Sequence, residues 1–119
     1  MKAQGSGYIV NISSAAGRIA RAGFGVYAAT KWGVGAFSEV LRQEVAQQNI
    51  RVTVIELALV ATEIQEQITD PAAKEQIQAQ MHAVTPLASE DIATAIVYAV
   101  TVPQHVSINE ILIRPTKEL

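Results

Sequence analysis

Ile50-Arg51-Val52-Thr53-Val54-Ile55-Glu56-Leu57-Ala58-Leu59-Val60 is a near-continuous apolar run rich in β-branched residues. It therefore reads as a central parallel strand, covered on both faces. Upstream, Tyr8-Ile9-Val10-Asn11-Ile12 follows a Gly-Ser-Gly turn and reads as a second buried strand, closed by the small residues Ser13 to Gly17. Between the two, a helix over about 26–48 carries Tyr27, Lys31, Val34, Ser38, Leu41 and Val45 on one stripe. Ala29, Gly33, Ala36, Phe37 and Val40 form a second face of this helix, which predicts cover on both sides. Strand, helix and strand within about fifty residues make a βαβ unit.

Beyond residue 60 the pattern turns polar. Asp70-Pro71 is a cap and first-turn pair that predicts a helix over about 71–82. Ser89, Glu90 and Asp91 start another helix, with Ile92, Ile96, Ala99 and Val100 on one face and Pro103 at its end. Val106 to Ile113 reads as a last strand, stopped by Arg114-Pro115. The order β-α-β-α-α-β defines an α/β chain with a parallel sheet of about three strands.

The chain has 119 residues, one domain's worth, half of them apolar and 17% charged, with net charge -2. It should bury roughly 65% of its unfolded surface, enough for a core. No basic tract or aromatic ladder points to nucleic acid. No cysteine is present, so disulfides and thiol chemistry are excluded. No apolar run is long enough to cross a bilayer and no signal-peptide pattern opens the chain, so a cytoplasmic protein is the expectation. His82 and His105 are far apart and lack metal-ligand spacing, so no metal site is expected.

Tyr27 and Lys31 stand four residues apart, on one face of the long helix. A nearby cation favours the ionised form of a phenol, which suits a phenol to give and take protons near neutral pH. Lys31 is the one charged residue within Val26–Ser38, and no carboxylate lies three or four residues away. A solvated lysine is the common reading of such a position; the neighbouring tyrosine and Ser14, thirteen residues before Tyr27, favour a functional one.

Ile9-Val10-Asn11-Ile12-Ser13-Ser14-Ala15-Ala16-Gly17 followed by Tyr27-xxx-Lys31 resembles the catalytic half of the short-chain dehydrogenase/reductase family. The likeness runs over essentially the whole chain. The ending Asn109 to Pro115 is similar to the branch of NADP-linked hydroxy-acid and serine dehydrogenases. The resemblance implies a truncated Rossmann-like sheet, a single partial domain over 1–119. It implies that Ser14 polarises a substrate carbonyl, that Tyr27 is the acid in reduction and the base in oxidation, and that Lys31 assists the phenol and holds the nicotinamide ribose. Val60 and Thr62 match positions that touch the nicotinamide amide and the phosphates of NADP or NAD, and residues about 63–85 match the variable substrate loop. The long helix matches the family's dimer-forming helix, so a homo-oligomer, at least a dimer, is expected through the 26–48 helix and an exposed strand edge.

The chain departs from that pattern in two places. The family's N-terminal dinucleotide-binding half, with a strand and glycine-rich turn at a helix N-terminus, has no counterpart; Gly5-Ser6-Gly7 is a lone glycine pair. Leu57-Ala58 stands where the family usually has Pro-Gly, which predicts weaker nicotinamide contact. Three functions therefore compete. One is carbonyl–alcohol interconversion on a small-molecule substrate. Another is cofactor-independent hydrolysis, with Ser14 as nucleophile and Tyr27 with Lys31 as base, although no Gly-x-Ser-x-Gly elbow is present. The third is a non-catalytic remnant or assembly module.

Overall fold

The computed structural model of the chain describes residues 1–18, 20–58 and 69–118. Its elements are β1 (Gly7–Ser14), α1 (Gly25–Val45), β2 (Ile50–Leu57), α2 (Pro71–Ala83), α3 (Ser89–Thr101) and β3 (Glu110–Ile113). The three strands form one parallel sheet in the order β1-β2-β3. The decisive apolar run is thus the middle strand, and Val52 to Glu56 are all buried. β2 is shorter than the run suggests: it ends at Leu57, and Leu59 and Val60 lie outside the described residues. The result is an open α/β sheet of Rossmann type.

Strand alternation assigns the two faces. Ile9, Asn11, Ser13, Val52, Val54 and Glu56 share one face, and α1 lies on it. Val45, Ile50 and Val52 form the packed centre there, with Ile9 and Leu41 against them. Asn11 Nδ2 donates to Ser38 Oγ at 2.8 Å, which satisfies a serine that is 2% exposed in the helix–sheet seam. The predicted stripe of α1 is therefore the one that meets the sheet.

The second face of α1 is uncovered in the single chain, against the expectation of burial on both sides. Val26 is 85% exposed, Phe37 65% and Val40 54%. The sheet faces only one side of a helix, and no other described element packs closely on the opposite side.

On the other face of the sheet, Tyr8, Arg51 and Thr53 make a polar brace. The Tyr8 hydroxyl and Thr53 Oγ1 are 2.6 Å apart, and the Arg51 guanidinium lies 4.6 Å from the Tyr8 ring centroid. Arg51 Nη1 also donates to the carbonyls of Val102, Pro103 and Val106, just past α3. These contacts explain why β3 begins at Glu110 and not at Val106. Arg51 takes the Val106 carbonyl and Thr53 takes the Ile108 carbonyl. Backbone groups used in this way are withdrawn from a strand ladder.

The helix starts follow capping chemistry. Asp70 Oδ1 accepts from the Ala72 amide at 3.1 Å, so the Asp70-Pro71 start of α2 is as predicted. α3 starts at Ser89, as predicted, with Ala88 in the cap position. Alanine has no side-chain acceptor; Asp91 Oδ2 reaches back to the Ala88 amide at 2.8 Å and supplies the reciprocal half of a capping box.

Candidate active site

Ser14 is the last residue of β1, opposite Leu57 at the carboxyl end of the sheet, and is half-buried. Open parallel sheets bind ligands at that end. Tyr27 lies in the first turn of α1 and is 46% exposed. One turn further on, the half-buried Lys31 places its Nζ 5.6 Å from the centroid of the Tyr27 ring, within cation–π range. The helical spacing read from the sequence thus brings phenol and ammonium together.

The turn that follows Ser14 meets the same helix. Residues Ala15–Gly17 form a single 3-10 turn packed on α1. A methyl group on Gly17 would stand 3.2 Å from the Lys31 carbonyl oxygen and 3.5 Å from Ser13 Oγ. Glycine is what lets the two backbones meet so closely. Ser13, 6% exposed, has its Oγ buried on the α1 side of the sheet without a hydrogen-bond partner among the described residues. Val60, Thr62 and residues 63–68 lie outside the described residues, and residues 71–83 of the expected substrate loop are α2.

A cluster absent from the sequence reading closes this turn. The Arg18 amide donates to the Ala15 carbonyl at 2.9 Å, and Arg18 Nε faces Glu56 Oε1 and Oε2 at 3.0 and 2.9 Å. Its Nη2 lies 3.0 Å from Glu110 Oε1 on β3. The Glu56 side chain is 4% exposed. Burial pushes the Glu56 carboxyl up to about 7, and a hydrogen bond to Glu110 works in the same direction against the pull of Arg18. Glu110 is held below the ordinary carboxyl value, chiefly by that same hydrogen bond. One signal was available: Glu56 is the one charge inside the run Val52–Val60, and a buried carboxylate needs a partner. Its partner is 38 residues away and becomes visible only with the topology.

A cleft of about 440 Å³ opens beside the cluster between α1 and the sheet, lined by Gly17, Trp32, Glu39, Arg42, Val54 and Glu110. Glu39 and Arg42 pair at 2.7 Å on its rim, and Arg42 holds the Glu39 carboxyl at about 2. Among the described residues no group of three or more His, Cys, Asp or Glu could hold a metal ion, and no helix is long and apolar enough to cross a membrane.

Residues 1–73 match the family described as short chain dehydrogenase. An uncharacterized oxidoreductase of Staphylococcus saprophyticus is 40% identical over 99% of this chain and 48% of its own length. Glycine betaine reductase of Emericella nidulans is 42% identical over 99% of this chain and 9% of its own. Among solved structures, the closed form of serine dehydrogenase complexed with NADP+ superposes with a TM-score of 0.85 and 32% identity, covering 100% of this chain and 48% of that one. Serine dehydrogenase from Escherichia coli gives a TM-score of 0.75 at 32% identity, over 98% and 44%. The chain thus spans about half the length of the bacterial relative and of the serine dehydrogenases.

Proposed function

Because this chain belongs to the short-chain dehydrogenase family, we propose that it interconverts a carbonyl and an alcohol at Ser14, Tyr27 and Lys31, with NADP(H) or NAD(H) as redox partner. The observation that carries this reading is the Lys31 ammonium 5.6 Å from the Tyr27 ring, at the end of the sheet where β1 delivers Ser14. Tyr27 gives its phenolic proton to the substrate oxygen in reduction and takes it back in oxidation. Lys31 stabilises the oxyanion that the phenol becomes, and the Ser14 hydroxyl donates to the same substrate oxygen.

The residues present fit one end of a dinucleotide. Tyr27 is open to solvent and Lys31 half-buried beside it, an arrangement that presents a donor and a cation to a nicotinamide ribose. When bound, the dinucleotide supplies the hydride. The likeness to serine dehydrogenases favours a small polar alcohol, such as a hydroxy acid, as substrate. Calorimetric titration with NADPH, followed by its oxidation against a panel of small keto acids, tests this reading. Absence of binding at millimolar cofactor rejects it.

The uncovered stripe of α1 supports a second, compatible reading as an assembly surface. Val26, Phe37 and Val40 are exposed beside Ala29, Gly33 and Ala36, small residues that allow close helix approach. The proposed occupant is the same stripe on a second copy, which makes the protein at least a dimer. This reading is also compatible with an assembly role without catalysis, and Tyr27→Phe separates the two.

A further inference from the structure

Arg18 has no part in the proton transfer proposed above, yet it ties the turn that follows Ser14 to β2 and β3. Three residues, the single 3-10 turn Ala15–Gly17, separate Ser14 from Arg18, and both ends of that turn are held. At the near end the ladder of β1 on β2 runs out at the Ser14–Leu57 pair. At the far end Arg18 reaches back to Glu56, the neighbour of Leu57, and across to Glu110 on β3. Between these two anchors Gly17 leans on the Lys31 carbonyl. The Nε proton faces both oxygens of Glu56, at 3.0 and 2.9 Å, and Glu110 Oε1 at 3.1 Å, so a partly exposed guanidinium makes a charge-assisted contact with a buried carboxyl group. The bond to Glu110, whose side chain is 53% exposed, adds less.

We propose that Arg18 is a positioning residue, which staples the turn after Ser14 to the carboxyl ends of β2 and β3 and so fixes Ser14 relative to the Tyr27–Lys31 helix. The role in catalysis rests on the function proposed above; the staple itself does not. With Arg18 cut back, the turn keeps the hydrogen bond from the Arg18 amide to the Ala15 carbonyl and its packing on α1, and Glu56 loses the cation that partly offsets its burial. Lysine can offer a point charge to Glu56 but cannot reach Glu56 and Glu110 together with a planar fork.

Hydrogen exchange on the full chain decides the matter, with Arg18→Met, Arg18→Lys and the parent compared. Arg18→Met should speed exchange of the amides at positions 15–18 by about tenfold or more while the β2 amides stay protected. Arg18→Lys should recover part of that protection. Trp32, the one tryptophan of the chain, follows Lys31 and shares the cleft with Gly17; its emission should shift in Arg18→Met and return toward the parent in Arg18→Lys. In carbonyl reduction, kcat should fall about tenfold with the KM for dinucleotide unchanged. Unaltered exchange at the turn overturns the staple, as does a rise of equal size through β2. A parental kcat in a variant whose turn has loosened overturns the positioning role. If the parent reduces no carbonyl, the proposed function fails on its own, and exchange with Trp32 emission still decides the staple. Glu56→Gln, which keeps the volume and removes the charge, carries the same test if Arg18→Met does not fold.

Discussion

Lys31 sits one helical turn beyond Tyr27, and its ammonium is 5.6 Å from the centre of that ring. Neither side chain is fully buried, so the pair can be altered with little risk to the fold. Tyr27→Phe should lower carbonyl reduction by roughly 10²- to 10⁴-fold and shift stability by no more than about 0.5 kcal/mol. Steady-state rates beside a denaturant melt check both halves. A full rate in Tyr27→Phe would favour the assembly role without catalysis.

The Glu56–Glu110 pair makes stability depend on pH near neutrality. The Glu56 carboxyl stands at about 7 in the folded chain against an ordinary 4.5, so the folded state binds the extra proton between those values. Its contribution is complete below pH 4.5 and is lost as the pH rises through about 7. Glu110 is shifted the other way, and its contribution is lost as the pH falls below 4.5. The two together place the best pH for this cluster near 5. The melting temperature of the parent should therefore fall between pH 5 and 7.5. Glu56→Gln should flatten that slope; an unchanged slope would place the titration elsewhere.

Gly17→Ala should cost about 1–2 kcal/mol. The added methyl group meets the Lys31 carbonyl at 3.2 Å, and backbone in the middle of a turn-on-helix contact has little room to move. Urea melts measure the loss, and exchange at Lys31 and its neighbours should report it locally.

Phe37→Glu, on the exposed stripe of α1, should leave the helix content intact and lower the assembled mass seen in sedimentation. Phe37 is 65% exposed in the single chain, so the charge costs the isolated fold little and opposes only a partner's apolar surface. A parent that sediments as a monomer at micromolar concentration would remove the assembly reading.

Much of the fold was readable locally. The strand cores, the long helix and its sheet-facing stripe, and the Asp70 cap depend on periodicity and near-neighbour chemistry, which a single chain displays. The candidate site was legible in one local respect: Tyr27 and Lys31 meet because a helix brings them together. What could not be read depends on distant partners. The late start of β3 follows from Arg51 and Thr53 taking carbonyls more than fifty residues downstream. The start of α3 at Ser89 was readable too; that its cap position falls to Ala88, with Asp91 bonding back from within the helix, was not. Arg18 went unnoticed because Glu56 and Glu110 reach it only after three parallel strands have paired.

That parallel pairing also bears on how the chain reaches its structure. Gly7 pairs with Ile50 and Val54 with Glu110, so each half of the sheet must close a loop of roughly 40 to 60 residues before any ladder bond is gained. The first closure encloses α1, which can form early and shorten the search. The second encloses α2 and α3 and ends on a strand of only four residues. The joining of β3 to β2 should therefore be the late, rate-setting event of folding, with the Arg51 contacts to Val102, Pro103 and Val106 serving to bring the last strand within reach.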